Sequence, residues 1–464
     1  ANAGTVYGNI IYNKAPIVMR NLETLMGEEP FREALKEYLK TYARRNATWD
    51  ELIKIMEDYT EEDLSRWNKD WVQKKGTPVY DFAYGSNPNG QSYVALSLQN
   101  QTGTQLWPQQ VAYAVGANKE EEQSIFLSAD SVAMTYEPAG SPVLINSDGR
   151  GYAYFKISAE DWEQLEYVAG RHENEVTRAA FWLNTWEGVL HGDLDPLYVY
   201  RAMAKVAQTE QNPLILANLL GTMRQIFWQF LEEPAQRSVA RQTEQNLYKR
   251  VIAEQDQSLK RILYNSMVQM TYTEDGGYTL LRTWRDKGSF IKLKLSESDL
   301  TTLAYHLALR EVSGASNILE ELLTAVKSED RKKRINFVSP ALSADESVRD
   351  QFFQSLADPA NRASEPWVVE ALGYLHHPLR QATSKKHVRK SLEMIEEIQE
   401  TGDIFFPARW LGGVLSTYSN TEVATEVRTF LDQNPALSPK LRDKVLQAGD
   451  MVFRSSEVKG FKRR

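Results

Sequence analysis

Six histidines hold most of what this sequence could offer to metal or general-base chemistry: His172, His191, His306, His376, His377 and His387. A helical zinc site needs two imidazoles four residues apart on one face. The nearest approach is His172-Glu173-Asn174-Glu175-Val176, and its second position is Val176. His376 and His377 are adjacent, so on a helix their side chains would diverge by about 100°. No metal site is expected from these six. Cysteine is absent altogether, which excludes disulfides, thiolate ligands and a cysteine nucleophile. There is no glycine-rich phosphate loop, and no serine sits in a Gly-x-Ser-x-Gly elbow. Glu28-Glu29 and Glu61-Glu62 read as acids at helix starts, where they favour the dipole. Trp67, Trp71, Trp162, Trp182, Trp186 and Trp228 could stack on a ligand, but aromatics at helical spacing are read first as core. Arg331-Lys332-Lys333-Arg334 reads as a solvated helix face rather than an anion contact. The residues alone compose no self-sufficient active site.

The elements that would position any borrowed chemistry are easier to read. Across 464 residues there are 54 basic and 62 acidic side chains, a net charge of −8. That length corresponds to roughly three domains. The acidic balance argues against a nucleic-acid or anionic-membrane partner. No run of 18 apolar residues occurs, so no membrane-spanning helix is expected. The opening Ala1-Asn2-Ala3-Gly4-Thr5 lacks the basic start and apolar stretch of a signal peptide. It leads directly into a structured-looking segment, as expected of a chain that begins inside a larger protein. A cysteine-free chain with lean loops suits a bacterial source and leaves the cellular location open.

Residues 13 to about 75 read as four short amphipathic helices. The first carries Ile17, Val18, Leu22 and Leu25, has Pro16 in its first turn and stops at Gly27 in a left-handed cap. The second follows Pro30 with Phe31, Leu35, Tyr38, Leu39 and Tyr42. The third opens on the capping box Thr48-Trp49-Asp50-Glu51 and repeats Leu52, Ile55, Met56 and Tyr59. The fourth runs through Leu64, Trp67 and Trp71 to the breaker Gly76-Thr77-Pro78. From Val79 the period changes to two, as in Tyr93-Val94-Ala95-Leu96-Ser97-Leu98, Val111 to Val115 and Tyr152 to Ile157. Turn clusters such as Asn87-Pro88-Asn89-Gly90 separate these runs, which points to a small β-sandwich. After Ser158 the pattern is helical to the basic tail Lys459-Gly460-Phe461-Lys462-Arg463-Arg464. Ser158-Ala159-Glu160-Asp161 and Ser296-Glu297-Ser298-Asp299 are helix starts. Breaker spacing at Pro196, Pro213, Pro234, Pro359, Pro378 and Pro435 predicts about fourteen to sixteen helices of roughly 12 to 20 residues. Consecutive helices with short loops and no shared template fit a divergent helical-pair solenoid.

The stretch Val6-Tyr7-Gly8-Asn9-Ile10-Ile11-Tyr12-Asn13-Lys14-Ala15-Pro16-Ile17-Val18-Met19 resembles the aminopeptidase N family of zinc gluzincins. In that family a Tyr-x-Lys-Gly element and an apolar helix follow the zinc-binding helices. Leu25-Met26-Gly27-Glu28-Glu29-Pro30-Phe31-Arg32, Asn46-Ala47-Thr48-Trp49-Asp50-Glu51-Leu52, Trp67, Trp71-Val72 and Gly76-Thr77-Pro78 match the usual order. The likeness is dense over residues 5 to 80 and architectural beyond. It implies a mainly α chain with one small all-β domain. Residues 1–78 would be the helical end of a thermolysin-like catalytic domain, 79–158 a β-sandwich, and 159–464 an α-helical superhelix of HEAT/armadillo type. It further implies that Tyr12 is the catalytic tyrosine, whose phenol stabilises the oxyanion of peptide hydrolysis. Zinc, its ligands and the general base would lie upstream, so no zinc is expected on this chain and none of its own peptidase activity. The implied partners are a peptide substrate and the missing N-terminal and catalytic portions of the same protein. Two departures from the pattern are Ala15, where the family has glycine, and Pro16 after it. The competing expectation is a non-catalytic solenoid scaffold that binds peptides or proteins.

Overall fold

The computed structural model describes residues 12, 14–74, 76–99, 107–117 and 123–458. Among the described residues four α-helices come first: α1 (Ala15–Met26), α2 (Glu28–Thr41), α3 (Trp49–Glu57) and α4 (Leu64–Asn68), the last continued by a π turn over Lys69–Gln73. Pro16 stands in the first turn of α1, where a missing N–H costs little. Gly27 ends it at φ 87°, ψ 150°. The positive φ is as expected, but the extended ψ turns the chain straight into α2 at Glu28, where Glu28 and Glu29 occupy the first turn. Thr48 and Glu51 close the capping box of α3 in both directions. Val18, Leu22, Ile53, Met56, Leu64, Trp67 and Trp71 form one core. The apolar stripe of α2 is only half used: Ala34 is its one buried residue, and Leu39 is 68% exposed.

Seven strands follow among the described residues: β1 (Val79–Ser86), β2 (Ser92–Leu98), β3 (Gln109–Val115), β4 (Gln123–Leu127), β5 (Ser131–Thr135), β6 (Val143–Ile145) and β7 (Tyr154–Lys156). One sheet runs β5-β2-β1-β7 and the other β4-β3-β6. The β1–β2 hairpin pairs Tyr80 with Leu98 and Ser86 with Ser92. Its turn is closed by the Asn87 side-chain oxygen, which accepts from the Asn89 and Gln91 amides. Along β2 the residues Val94, Leu96 and Leu98 alternate inward. They meet Val111, Tyr113, Val115, Val143 and Phe155 in a second core. Strands β4, β5 and β6 were not legible: in β4 the run Ile125-Phe126-Leu127 is apolar throughout, which hides the alternation of Ile125 and Leu127 toward the core with Phe126 outward.

The remaining described residues are helical: α5 (Ala159–Ala169), α6 (Glu175–Leu190), α7 (Pro196–Val206), α8 (Pro213–Gln225), α9 (Glu233–Ala253), α10 (Gln257–Met270), α11 (Glu274–Arg285), α12 (Glu297–Leu309), α13 (Ile318–Ala325), α14 (Glu329–Leu342), α15 (Glu346–Ser355), α16 (Glu365–Leu375), α17 (Gln381–Ser384), α18 (Val388–Glu393), α19 (Ile395–Thr401), α20 (Phe406–Leu415), α21 (Thr421–Gln433) and α22 (Pro439–Val458). These eighteen exceed the expected fourteen to sixteen, and their lengths run from four residues in α17 to 21 in α9. The excess lies between His376 and Gly402, where three short α-helices and two 3-10 turns follow one another with Pro378 the one proline among them. Ser158 and Ser296 cap α5 and α12 as expected. Pro196 and Pro213 begin helices directly behind capping Asp195 and Asn212. The basic tail lies outside the described residues.

The chain divides into two compact units between Val189 and Leu190. Within the second, helices pack on neighbours one or two places along, α9 on α10, α8 on α10, α14 on α16 and α20 on α22, while α16 packs on α20 across the three short helices between them. The array then returns on itself. Helix α22 touches the π turn Ile226–Phe230 that follows α8, and Gln229 there donates to the Ser416 carbonyl at 2.5 Å. Among the described residues no helix is long and apolar enough to cross a membrane.

Candidate functional site

Tyr12 stands three residues ahead of α1 with 65% of its surface exposed. Val6 to Ile11 and Asn13 of the same motif lie outside the described residues. Lys14 occupies the N-cap position of α1. Its ammonium lies 5.0 Å from the Trp107 ring centroid and 4.8 Å from that of Tyr152. Those two rings stack at 5.1 Å. Trp71 meets both at about 6 Å, and its indole N–H donates to the Pro108 carbonyl. The Tyr152 hydroxyl donates to Gly76 O and accepts from Thr77. Trp67 ties α4 to α1 by donating to Asn21 at 2.9 Å. Beside α1 a polar cleft of about 310 Å³ is lined by Arg20, Asn21, Thr24, Gln110, Asp148 and Arg150.

A second candidate lies inside the helical unit, a cavity of about 400 Å³. Its lining comes from helix C-terminal ends: Arg224 and Gln225 of α8, Gln269 of α10, His306 of α12, His377 after α16, and Ser416 and Thr417 after α20. Trp228 and Gln229 reach it from the π turn, a distortion frequent at functional sites. Such ends carry partial negative charge, and cations collect there. Arg310 donates to Thr271 O at 2.7 Å and Gln269 O at 3.3 Å, capping α10. Its Nη1 also meets His306 Nδ1 at 2.8 Å. A guanidinium can only donate, so His306 accepts there and carries its proton on Nε2. Burial pulls the Arg310 pKa down to about 10. Burial, reinforced by Arg310, holds His306 and His377 well below the usual histidine range. Arg224 opens onto the cavity, and the protein around that space excludes enough water to lower its pKa. No carboxylate lines the cavity among the described residues. Its chemistry suits an anionic or hydrogen-bonding group.

Comparison with known proteins decides the family. Residues 142–453, the greater part of the chain, match the family model described as "ERAP1-like C-terminal domain". The chain belongs to that family. Ahead of the ERAP1-like region, residues 1–71 match the "Peptidase family M1 domain". The chain is 20% identical over 279 residues to "Probable aminopeptidase 1" of Sulfurisphaera tokodaii, covering 59% of this chain and 34% of that protein. It is 31% identical over 98 residues to "Aminopeptidase N" of Escherichia coli, covering 21% of this chain and 11% of that protein. The chain thus spans about a third or less of these relatives. The aminopeptidase A of Legionella pneumophila, solved in complex with aspartic acid, shares the fold at TM-score 0.65 and 14% identity, covering 96% of this chain and 57% of that one.

The ERAP1-like chain keeps its other singled-out residues in structural roles. His172 precedes α6, and its Nδ1 accepts from the Asn174 amide. His376 is fully buried, with Nδ1 2.8 Å from the Tyr418 hydroxyl. His387 meets Asp350 at 2.9 Å. Among the described residues no three His, Asp or Glu side chains converge on a point where a metal could sit. Trp67, Trp71, Trp162, Trp182 and Trp228 are core, and Trp186 is half-buried. Arg331, Lys332 and Arg334 are exposed or half-buried and paired with Glu297, Glu329 and Glu370. Sequence reasoning did not find the Trp107–Tyr152 ring pair or the Arg224 cavity.

Proposed function

We propose that this chain serves a zinc aminopeptidase that removes N-terminal amino acids from peptides, and that Tyr12 is its oxyanion-stabilising residue. The reading is carried by the peptidase family M1 match over residues 1–71, which contains Tyr12-Asn13-Lys14, followed by the ERAP1-like match over residues 142–453. The zinc ligands and general base are proposed to come from residues outside this chain. When water adds to the first peptide carbonyl, negative charge develops on the carbonyl oxygen. A phenol O–H aimed at that oxygen stabilises the charge by hydrogen bonding and keeps its own proton. Such a donor is worth about a hundred- to a thousand-fold in kcat. An exposed tyrosine immediately before a rigid helix suits that task, since the ring is accessible and its backbone tethered. The helical unit is proposed to shape access for substrate, and the Arg224 cavity is the surface in it that suits a carboxylate.

The test is hydrolysis of alanyl- and leucyl-arylamides by a zinc-loaded protein in which this chain follows a complete zinc-binding segment. Tyr12→Phe should lower kcat by about a hundred-fold or more with zinc retained. Equal activity of the two proteins would make Tyr12 structural. Absence of both zinc and cleavage would favour a peptide-binding scaffold.

A further inference from the structure

We infer that Lys14 is the positioning residue for Tyr12, holding it through an ammonium clamped over the Trp107 and Tyr152 rings. The inference rests on the reading of Tyr12 as the oxyanion donor. A catalytic hydrogen-bond donor must be placed to within a fraction of an ångström. With 65% of its surface exposed, Tyr12 is not placed by burial alone. The start of α1 is also poorly anchored by the usual means. Its N-cap makes no side-chain capping bond, its first turn holds no acidic residue, and Pro16 removes one N–H.

Lys14 supplies an anchor at this point of the chain. Its backbone is already helical, at φ −78° and ψ −44°. Both ring centroids lie within the roughly 6 Å reach of a cation–π contact. No carboxylate is paired with Lys14 among the described ion pairs, so the rings are what its charge faces. The rings themselves are held by packing and hydrogen bonds. Trp107 is 2% exposed, Trp71 backs the pair, and the Tyr152 hydroxyl is held between Gly76 and Thr77. Two residues of chain span at most about 7 Å, so fixing Lys14 confines the Tyr12 backbone. The ring pair stands next to the β-sandwich, which gives that domain a part in placing the phenol.

Two readouts test this. In the 464-residue chain, 3-fluorotyrosine at position 12 should give a fluorine resonance shifted and broadened relative to the free amino acid. Lys14→Met, which keeps the stem and loses the charge, should move that signal toward the free value. Lys14→Arg, whose guanidinium also lies on aromatic faces, should restore it. In the zinc-loaded protein Lys14→Met should lower kcat about tenfold at unchanged KM. Lys14→Arg should recover most of the rate, and Lys14→Met should add little to Tyr12→Phe. An unmoved fluorine signal in Lys14→Met overturns the inference, as does a raised KM at intact kcat, which would make Lys14 a substrate contact. If the signal moves but Tyr12→Phe keeps full activity, the clamp stands and the catalytic reading of Tyr12 falls.

Discussion

Burial holds five histidines neutral, and the sign of that effect sets how stability responds to acid. His172, His306, His376, His377 and His387 all have lowered pKa values, with loss of water around the ring the largest cause in each. For His387 the facing Asp350 works in the opposite direction. His376 is the extreme case, fully buried and pulled down to about 3. Between pH 6.5 and that value the unfolded chain takes up protons that the native ring refuses, so stability falls as pH falls. For His376 alone the loss from pH 6.5 to 5 is about 1–2 kcal/mol. Urea midpoints measured at pH 7.5, 6 and 5 should decline, and His376→Asn should flatten the decline by about one group's share. An identical slope in the variant would show that the imidazole already ionises in the native state.

At the scale of elements, arginines join successive helices end to end. Arg250 donates to the Ala207 and Glu210 carbonyls behind α7. Arg310 caps α10, Arg349 caps α14 through Ser343 and Ala344, Arg362 caps α15 through Leu356, and Arg442 reaches Leu431 in α21. Each satisfies carbonyls that a helix C-terminus leaves without partners. Arg362 is 3% exposed and also pairs with Glu397. Replacing it by Met should cost about 2–4 kcal/mol in chemical denaturation, with Lys in between. A cost below about 0.5 kcal/mol would mean that water replaces the guanidinium.

Helix starts were legible because their chemistry is local: Thr48 with Glu51, Ser296 with Asp299, and proline behind Asp195 or Asn212. The short helices between His376 and Gly402 were not, since four to seven residues are too few to display a period. The cavity was illegible for a different reason. Its lining is gathered from residues as far apart as Arg224 and Thr417, and no local pattern spans that separation. Tyr12 was found through the motif around it, as a lone exposed tyrosine has no signature.

For the molecule as a whole, the chain forms two compact units, and the buried histidines are divided unequally between them. His172 lies in the first unit, while His306, His376, His377 and His387 lie in the second. Calorimetry should therefore depart from a two-state transition. On acidification from pH 7.5 to 5 the component from residues 190–464 should fall in temperature faster than the other. A single transition with equal calorimetric and van't Hoff enthalpies at every pH would refute that independence. The return of α22 to the π turn after α8 has a consequence of another kind. An open array of repeats can gain or lose a pair at either end, and its length drifts freely. Here a pair of helices added between α12 and α20 would carry Ser416 away from Gln229 and part the seam where the array meets itself. Changes of size are left to loop lengths, and the number of helices is fixed by geometry.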